Sequence, residues 1–256
     1  MYGLSSTSND RAPLWRRTFV GMGVATLLAG LGFAAWDLMR PKTIVHGISV
    51  PPSYDAWRRD MFIRRVREIE AMPVQAHGIA FYGDSLTQWG DWDNLLQDTT
   101  IMNFGVRGDR TNGALNRLPQ LIAAEPRKVI LMIGTNDLEG GLRTPAQIVV
   151  AQATILDQIE RALPETKIVV QSVLPREAQY QDEIESLRVE LRQMVEARDI
   201  KYLDLTAAFA DSSGALREDL TTDGLHLNDA GYALWAAKLE PILKNQPLDD
   251  TDVEIE

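Results

Sequence analysis

The sequence predicts an α/β domain built on a parallel sheet of five strands, covered by helices on both faces. Three observations carry that expectation. Five short apolar runs alternate with longer stretches of helical periodicity. The third run, Lys128–Ile133 (KVILMI), is almost wholly apolar, as a strand buried on both faces must be. Several of the runs also end on glycine followed by Asp, Thr or Val, which marks a turn at the strand's carboxyl end.

Taken in order, the chain starts with Arg11, Arg16 and Arg17 ahead of Thr18–Trp36, a run of 19 residues without a charge. As a helix it would span roughly 28 Å, close to the apolar thickness of a bilayer. It has no polar face, which argues against a core helix. Two readings stand, a transmembrane anchor or a signal segment. Gly32-Phe33-Ala34 offers a small-x-small cleavage site, and Arg16-Arg17-Thr18-Phe19 resembles a twin-arginine signal. Either reading places the main domain outside the cytoplasmic membrane. Pro41, Pro51 and Pro52 then mark a linker, which also carries His46 and Gly47.

Residues 55–72 carry Trp57, Met61, Ile63, Val66 and Ile69 as one apolar stripe of an amphipathic helix. The predicted strands are Gly78–Tyr82, Thr100–Phe104, Lys128–Ile133, Lys167–Val173 and Ile200–Leu205. Thr144 followed by Pro145 caps a helix over 144–163. A second helix is predicted over 181–198, and a third from the cap Asn228 to about Leu243. The chain thus divides into a basic tail (1–17), the uncharged segment (18–36), a linker (37–54), the α/β domain (55–246) and an acidic tail (247–256).

Composition narrows the function. Of 256 residues, 45% are hydrophobic and 24% charged, ordinary values for a folded chain. With no cysteine, thiolate metal sites and cysteine nucleophiles are excluded. The net charge of −10 disfavours nucleic acid as a partner, and makes an electrostatic hold on anionic lipid headgroups equally poor.

In open parallel sheets, chemistry sits beyond the carboxyl ends of the strands. Those positions hold Gly83-Asp84-Ser85-Leu86, Gly105-Val106-Arg107-Gly108-Asp109 and Gly134-Thr135-Asn136-Asp137, with Asp223-Gly224-Leu225-His226 after the last strand. A serine hydroxyl needs a base to become a nucleophile. Of the three histidines, His46 lies in the linker and His77 at the opposite end of the first strand, which leaves His226. Asp223, three residues away, can orient the imidazole. The oxyanion of an acyl-transfer intermediate needs fixed donors. The candidates are the Ser85 and Gly105 N–H groups and the Asn136 side-chain amide. Each piece alone is an ordinary turn, cap or surface pair, but together they make one complete set for acyl transfer.

The chain resembles the SGNH hydrolases, or GDSL-type esterases. The four motif blocks match Gly83–Leu86, Asn103–Gly108, Gly134–Asp137 and Asp223–His226, over about residues 76 to 246. The stretches NFGVRGDRTNGALNRL, IGTND and TDGLHLNDAGY look most like the subgroup of platelet-activating-factor acetylhydrolase catalytic subunits and bacterial acetylesterases. The resemblance implies a three-layer flavodoxin-like fold. It implies Ser85 as nucleophile, His226 as base, Asp223 as the orienting acid, and Ser85, Gly105 and Asn136 as the oxyanion hole. Thr87 stands where a G-x-S-x-G elbow needs its second glycine, which argues against an α/β-hydrolase.

Trp89 and Trp92 are candidate walls of the acyl or leaving-group site, though tryptophans so placed also pack against a following helix. Arg107 is a candidate for an anionic or sugar group, or else a structural ion pair with Asp109 or Asp137. Asp84 reads as a turn anchor. The expected function is hydrolysis of short, acetyl-like esters of small molecules or O-acetylated glycans, without metal or cofactor. A lysophospholipase or thioesterase, an O-acetyltransferase and a non-catalytic binding module are the other readings. The N-terminal segment implies the membrane as a partner, while the oligomeric state is left open.

Overall fold

The computed structural model describes residues 43–45, 48–73, 75, 77–98 and 100–244. The basic tail, the uncharged run 18–36, His46 and the acidic tail lie outside the described residues. Among the described residues, no helix is long and apolar enough to cross a membrane.

A short antiparallel pair opens the described chain, β1 (Thr43–Val45) and β2 (Ile48–Val50). The main sheet holds β3 (Ile79–Gly83), β4 (Ile101–Gly105), β5 (Lys128–Met132), β6 (Lys167–Gln171) and β7 (Lys201–Leu203). All of its pairs are parallel, and the order is β4-β3-β5-β6-β7. Counting sheet strands alone this is 2-1-3-4-5, a doubly wound order with its switch point between β3 and β5.

Strand alternation divides the core. Ala80, Tyr82, Met102, Phe104, Val129, Leu131 and Val170 pack on one face against α1 (Ala56–Ala71), α6 (Pro145–Ala162) and α7 (Gln181–Glu196). Ile79, Phe81, Ile101, Ile130, Met132 and Leu203 pack on the other, against Trp92, Phe209, Trp235 and Leu239. Trp92 belongs to α3 (Trp92–Leu96), Phe209 to α8 (Thr206–Phe209), and Trp235 and Leu239 to α9 (Asp229–Leu243). α4 (Thr111–Asn116) and α5 (Leu118–Ala123) add Ala114, Leu118 and Leu121 to the first face, and α2 (Ser85–Trp89) adds Leu86 to the second.

Local chemistry sets the helix starts. Asp55 caps α1 by accepting the Arg58 N–H at 2.7 Å. Thr144 and Gln147 form a reciprocal capping box, with Pro145 at the first helical position of α6. Asn228 caps α9 through the Gly231 N–H at 3.0 Å. In α7, Arg188 and Arg192, which sequence spacing sets in repulsion, both reach Asp204, at 2.9 and 2.6 Å.

Two sequence expectations need correction. Residues 48–54 are not a free linker, because Ile48, Val50 and Tyr54 are buried in the core. The apolar stripe of α1 is Phe62, Ile63, Val66 and Ile69, while Trp57 stands half in solvent at 50% exposure. Burial follows which face of the helix packs on the core, which hydrophobicity alone does not report.

Candidate active site

Strand register brings the functional loops to one rim. Gly83 lies level with Gly105 on one side and Met132 on the other. The residues after each strand therefore emerge side by side.

After β3 the chain turns at once into α2. Asp84 caps that helix and accepts the Leu86 N–H at 3.0 Å. Burial pushes the Asp84 carboxyl up to about 7. Ser85 is the first helical residue, so its N–H precedes the intrahelical ladder and is left to face a ligand. Gly83 is required here: a β-carbon would lie 2.1 Å from Thr87 Oγ1 and 2.4 Å from the Met132 carbonyl.

His226 comes from the loop before α9. Thr221 and Leu227 form a short antiparallel bridge, and the His226 carbonyl accepts Thr221 Oγ1 at 2.7 Å. Gly224, at φ +83°, supplies the left-handed turn. Asp223 Oδ1 accepts the main-chain N–H of His226 at 2.7 Å and of Leu225 at 3.0 Å, while Oδ2 meets His226 Nδ1 at 2.7 Å. Desolvation raises the Asp223 carboxyl, but the His226 main-chain and ring bonds and the Leu225 N–H outweigh it and hold the group below its ordinary value. An ionised Asp223 accepts a hydrogen bond from Nδ1–H, which leaves Nε2 as an acceptor. Nε2 lies 3.2 Å from Ser85 Oγ, within reach for proton transfer. His77, by contrast, precedes β3 at the far end of the sheet.

The oxyanion candidates do not all survive. The Gly105 N–H already donates to Asn103 Oδ1 at 2.9 Å. A β-carbon at Gly105 would lie 2.2 Å from the Gln88 nitrogen, so this glycine serves the close packing of α2 on β4. Gly108, three residues on, has φ +67°, and its N–H meets no acceptor among the described residues. Asn136 is nearly buried and donates one amide hydrogen to the Asp109 carbonyl at 2.9 Å. Its second amide hydrogen remains available.

Two buried ion pairs hold these loops. Arg117 Nε meets Asp109 Oδ2 at 2.7 Å, and its other nitrogens donate to the Phe104 and Gly83 carbonyls at 2.7 and 2.8 Å. Tyr54 donates to Asp109 Oδ1 at 2.5 Å. Asp137 pairs with Arg143 at 3.2 Å and accepts the Thr111 N–H and hydroxyl at 2.9 and 2.7 Å. Asp109 and Asp137 are fully buried on these partners while Arg107 is exposed, and Arg107 forms no ion pair with either.

The flanking tryptophans divide. Trp92 is no wall of the site: it is buried, donates to the Thr87 carbonyl at 2.8 Å, and stacks on Phe81 with centroids 4.7 Å apart. Trp89 sits one turn beyond Ser85 on α2, on the same face, and its ring lies 4.4 Å from the imidazole of His226. Trp57, unmarked as a site residue by the sequence, approaches Arg107 from α1 at 5.2 Å. Among the described residues, no group of three or more His, Asp or Glu side chains is arranged to hold a metal ion.

The GDSL-like lipase/acylhydrolase family matches residues 81–234, a span that contains Ser85, Asn136, Asp223 and His226. The chain belongs to that family. This GDSL-like acylhydrolase is a carboxylic ester hydrolase by family. It is 27% identical to the platelet-activating factor acetylhydrolase IB subunit alpha2 of Rattus norvegicus, over 84% of this chain and 94% of that protein. Its fold is similar to a GDSL-like lipase from Bacteroides thetaiotaomicron, with TM-score 0.63, 20% identity, and 72% and 97% of the two chains covered. It is also similar to a carbohydrate esterase family 3 protein from Talaromyces cellulolyticus, with TM-score 0.57, 20% identity, and 66% and 96% covered.

Proposed function

We propose that this GDSL-like acylhydrolase is a serine esterase that removes short acyl groups, acetyl foremost, from small-molecule or glycan alcohols. The observation that carries the reading is the continuous chain from Ser85 Oγ through His226 to Asp223, at 3.2 and 2.7 Å. Ser85 Oγ attacks the ester carbonyl as its proton moves to Nε2. The oxyanion rests on the Ser85 N–H, the Gly108 N–H and the free amide hydrogen of Asn136. The imidazolium, stabilised by Asp223, gives its proton to the departing alcohol. Water then enters, loses a proton to the same nitrogen, and releases the acid. The preference for acetyl is supported by the acetylhydrolase relative.

Activity on p-nitrophenyl esters of rising chain length tests this. Turnover is expected to peak at two to four carbons, in the sense that a longer chain needs an apolar slot to hold it. A maximum at eight carbons or more would shift the reading to a lysophospholipase or thioesterase.

The uncharged run Thr18–Trp36 behind three arginines supports an enzyme exported across, or tethered to, the cytoplasmic membrane. Residues 1–45 fused to a reporter active only after export are expected to yield activity, and a reporter silent outside the cytoplasm would refute the placement.

A further inference from the structure

Arg107 is exposed and lies beside two tryptophans. Its guanidinium carbon lies 5.2 Å from the Trp57 ring and 5.3 Å from the Trp89 ring. Both indoles are exposed, at 50% and 43%. The neighbouring arginines are spoken for: Arg58 and Arg110 share Glu139 at 2.9 and 3.4 Å, and Arg58 also reaches Asp55 at 3.6 Å. Among the described residues, Arg107 has no carboxylate partner, and its main-chain N–H is fixed by Gln88 Oε1 at 2.6 Å.

A guanidinium held beside two aromatic rings is restrained by them and keeps its planar edge of N–H donors for a ligand. That edge matches the two oxygens of a carboxylate or phosphate. Leaving two indoles half exposed around one unpaired cation does nothing for the core, whereas a rigid, pre-oriented guanidinium serves recognition. Position decides which half of the substrate it meets. The Trp89 ring lies beside both groups, 4.4 Å from the His226 imidazole at a 35° tilt and 5.3 Å from the Arg107 guanidinium carbon. His226 is the group that protonates the departing alcohol in the proposed mechanism, so the rings beside it lie toward the leaving group.

We propose that Trp57, Arg107 and Trp89 form a leaving-group subsite selecting esters whose alcohol half carries an anionic oxygen group, a carboxylate or a phosphate. The inference rests on the esterase reading above and names its substrate class.

The test compares 4-acetoxybenzoate, 4-acetoxyphenyl phosphate and methyl 4-acetoxybenzoate, each rate normalised to alkaline hydrolysis of the same ester. The wild-type enzyme is expected to favour an anionic ester over the methyl ester by roughly tenfold in kcat/KM, the worth of one charge-assisted hydrogen bond. Which of the two anions gains more identifies the group recognised. Arg107→Gln is expected to bring the ratio toward one, mainly through KM, and Arg107→Lys to restore part of it. Added salt is expected to lower the wild-type ratio. A wild-type ratio near one, or a ratio unmoved by Arg107→Gln, overturns the subsite. So does a Trp57→Ala variant that slows neutral and anionic esters alike while Arg107→Gln leaves the ratio intact, since the stack is then an apolar platform. If the wild type hydrolyses none of the three and a fluorophosphonate fails to tag Ser85, the esterase reading itself fails and the subsite falls with it.

Discussion

Ser85→Ala is expected to lower kcat/KM on a short acetyl ester by roughly 10⁴–10⁶, leaving only the rate that the oxyanion donors and substrate binding support. The reason is geometric. Ser85 Oγ is the hydroxyl that His226 Nε2 reaches, at 3.2 Å, and in the proposed mechanism no acyl-enzyme forms without it. Asn136→Ala is expected to cost less, roughly 10²–10³, because in the proposed mechanism it removes one oxyanion donor and leaves the nucleophile in place. The two variants also separate by chemistry. A fluorophosphonate is expected to label Asn136→Ala slowly and Ser85→Ala not at all, as read by intact mass. Labelling or near-normal turnover in Ser85→Ala would remove the serine mechanism altogether.

Arg117→Leu is expected to destabilise the fold by about 3–5 kcal/mol, the cost of stranding a buried charge. Arg117 and Asp109 are both shut off from solvent, at 1% and 0% side-chain exposure. The substitution leaves the Asp109 carboxylate with the Tyr54 hydroxyl and the Arg110 N–H as its remaining donors. It also strips a donor from the Phe104 and Gly83 carbonyls at the ends of β4 and β3. Burial already pushes the Asp109 carboxyl above its usual range, against the pull of Arg117. Without the guanidinium that push grows. A carboxyl raised in the folded state favours folding least when the unfolded chain is ionised. The loss is therefore expected to be full near neutral pH and to shrink as pH falls toward about 4, the ordinary carboxyl range. Urea unfolding across that range measures it. Adding Asp109→Asn to Arg117→Leu is expected to recover part of the stability, because the stranded charge is gone. A pH-independent loss, or no recovery in the double variant, would mean that packing around Arg117 dominates instead.

Much of this was legible in the amino-acid order. The five strands fall within one or two residues of their apolar runs, because a strand buried on both faces must be apolar along its length. The caps at Thr144 and Asn228 read directly, since capping is a contact between residues three apart. Ser85, Asn136, Asp223 and His226 stood out because the carboxyl ends of parallel strands share one rim.

What failed to read was decided by contacts between distant segments. Two glycines of one block look alike in a sequence. Only the folded chain shows that Gly105 has its N–H engaged by Asn103 and its open side filled by Gln88 of α2, while the Gly108 N–H meets no acceptor among the described residues. Trp89 and Trp92 are three residues apart and equally apolar, yet one flanks the imidazole and the other is sealed in the core. Trp57 joins Arg107 from a helix some fifty positions earlier in the chain. Periodicity and local hydrogen bonding determine which elements form and roughly where they end, because those forces act between near neighbours. Which face of an element meets solvent, which N–H stays unpaired and which aromatic ring meets a cation depend on how elements pack across the whole fold, and that the tertiary structure alone decided.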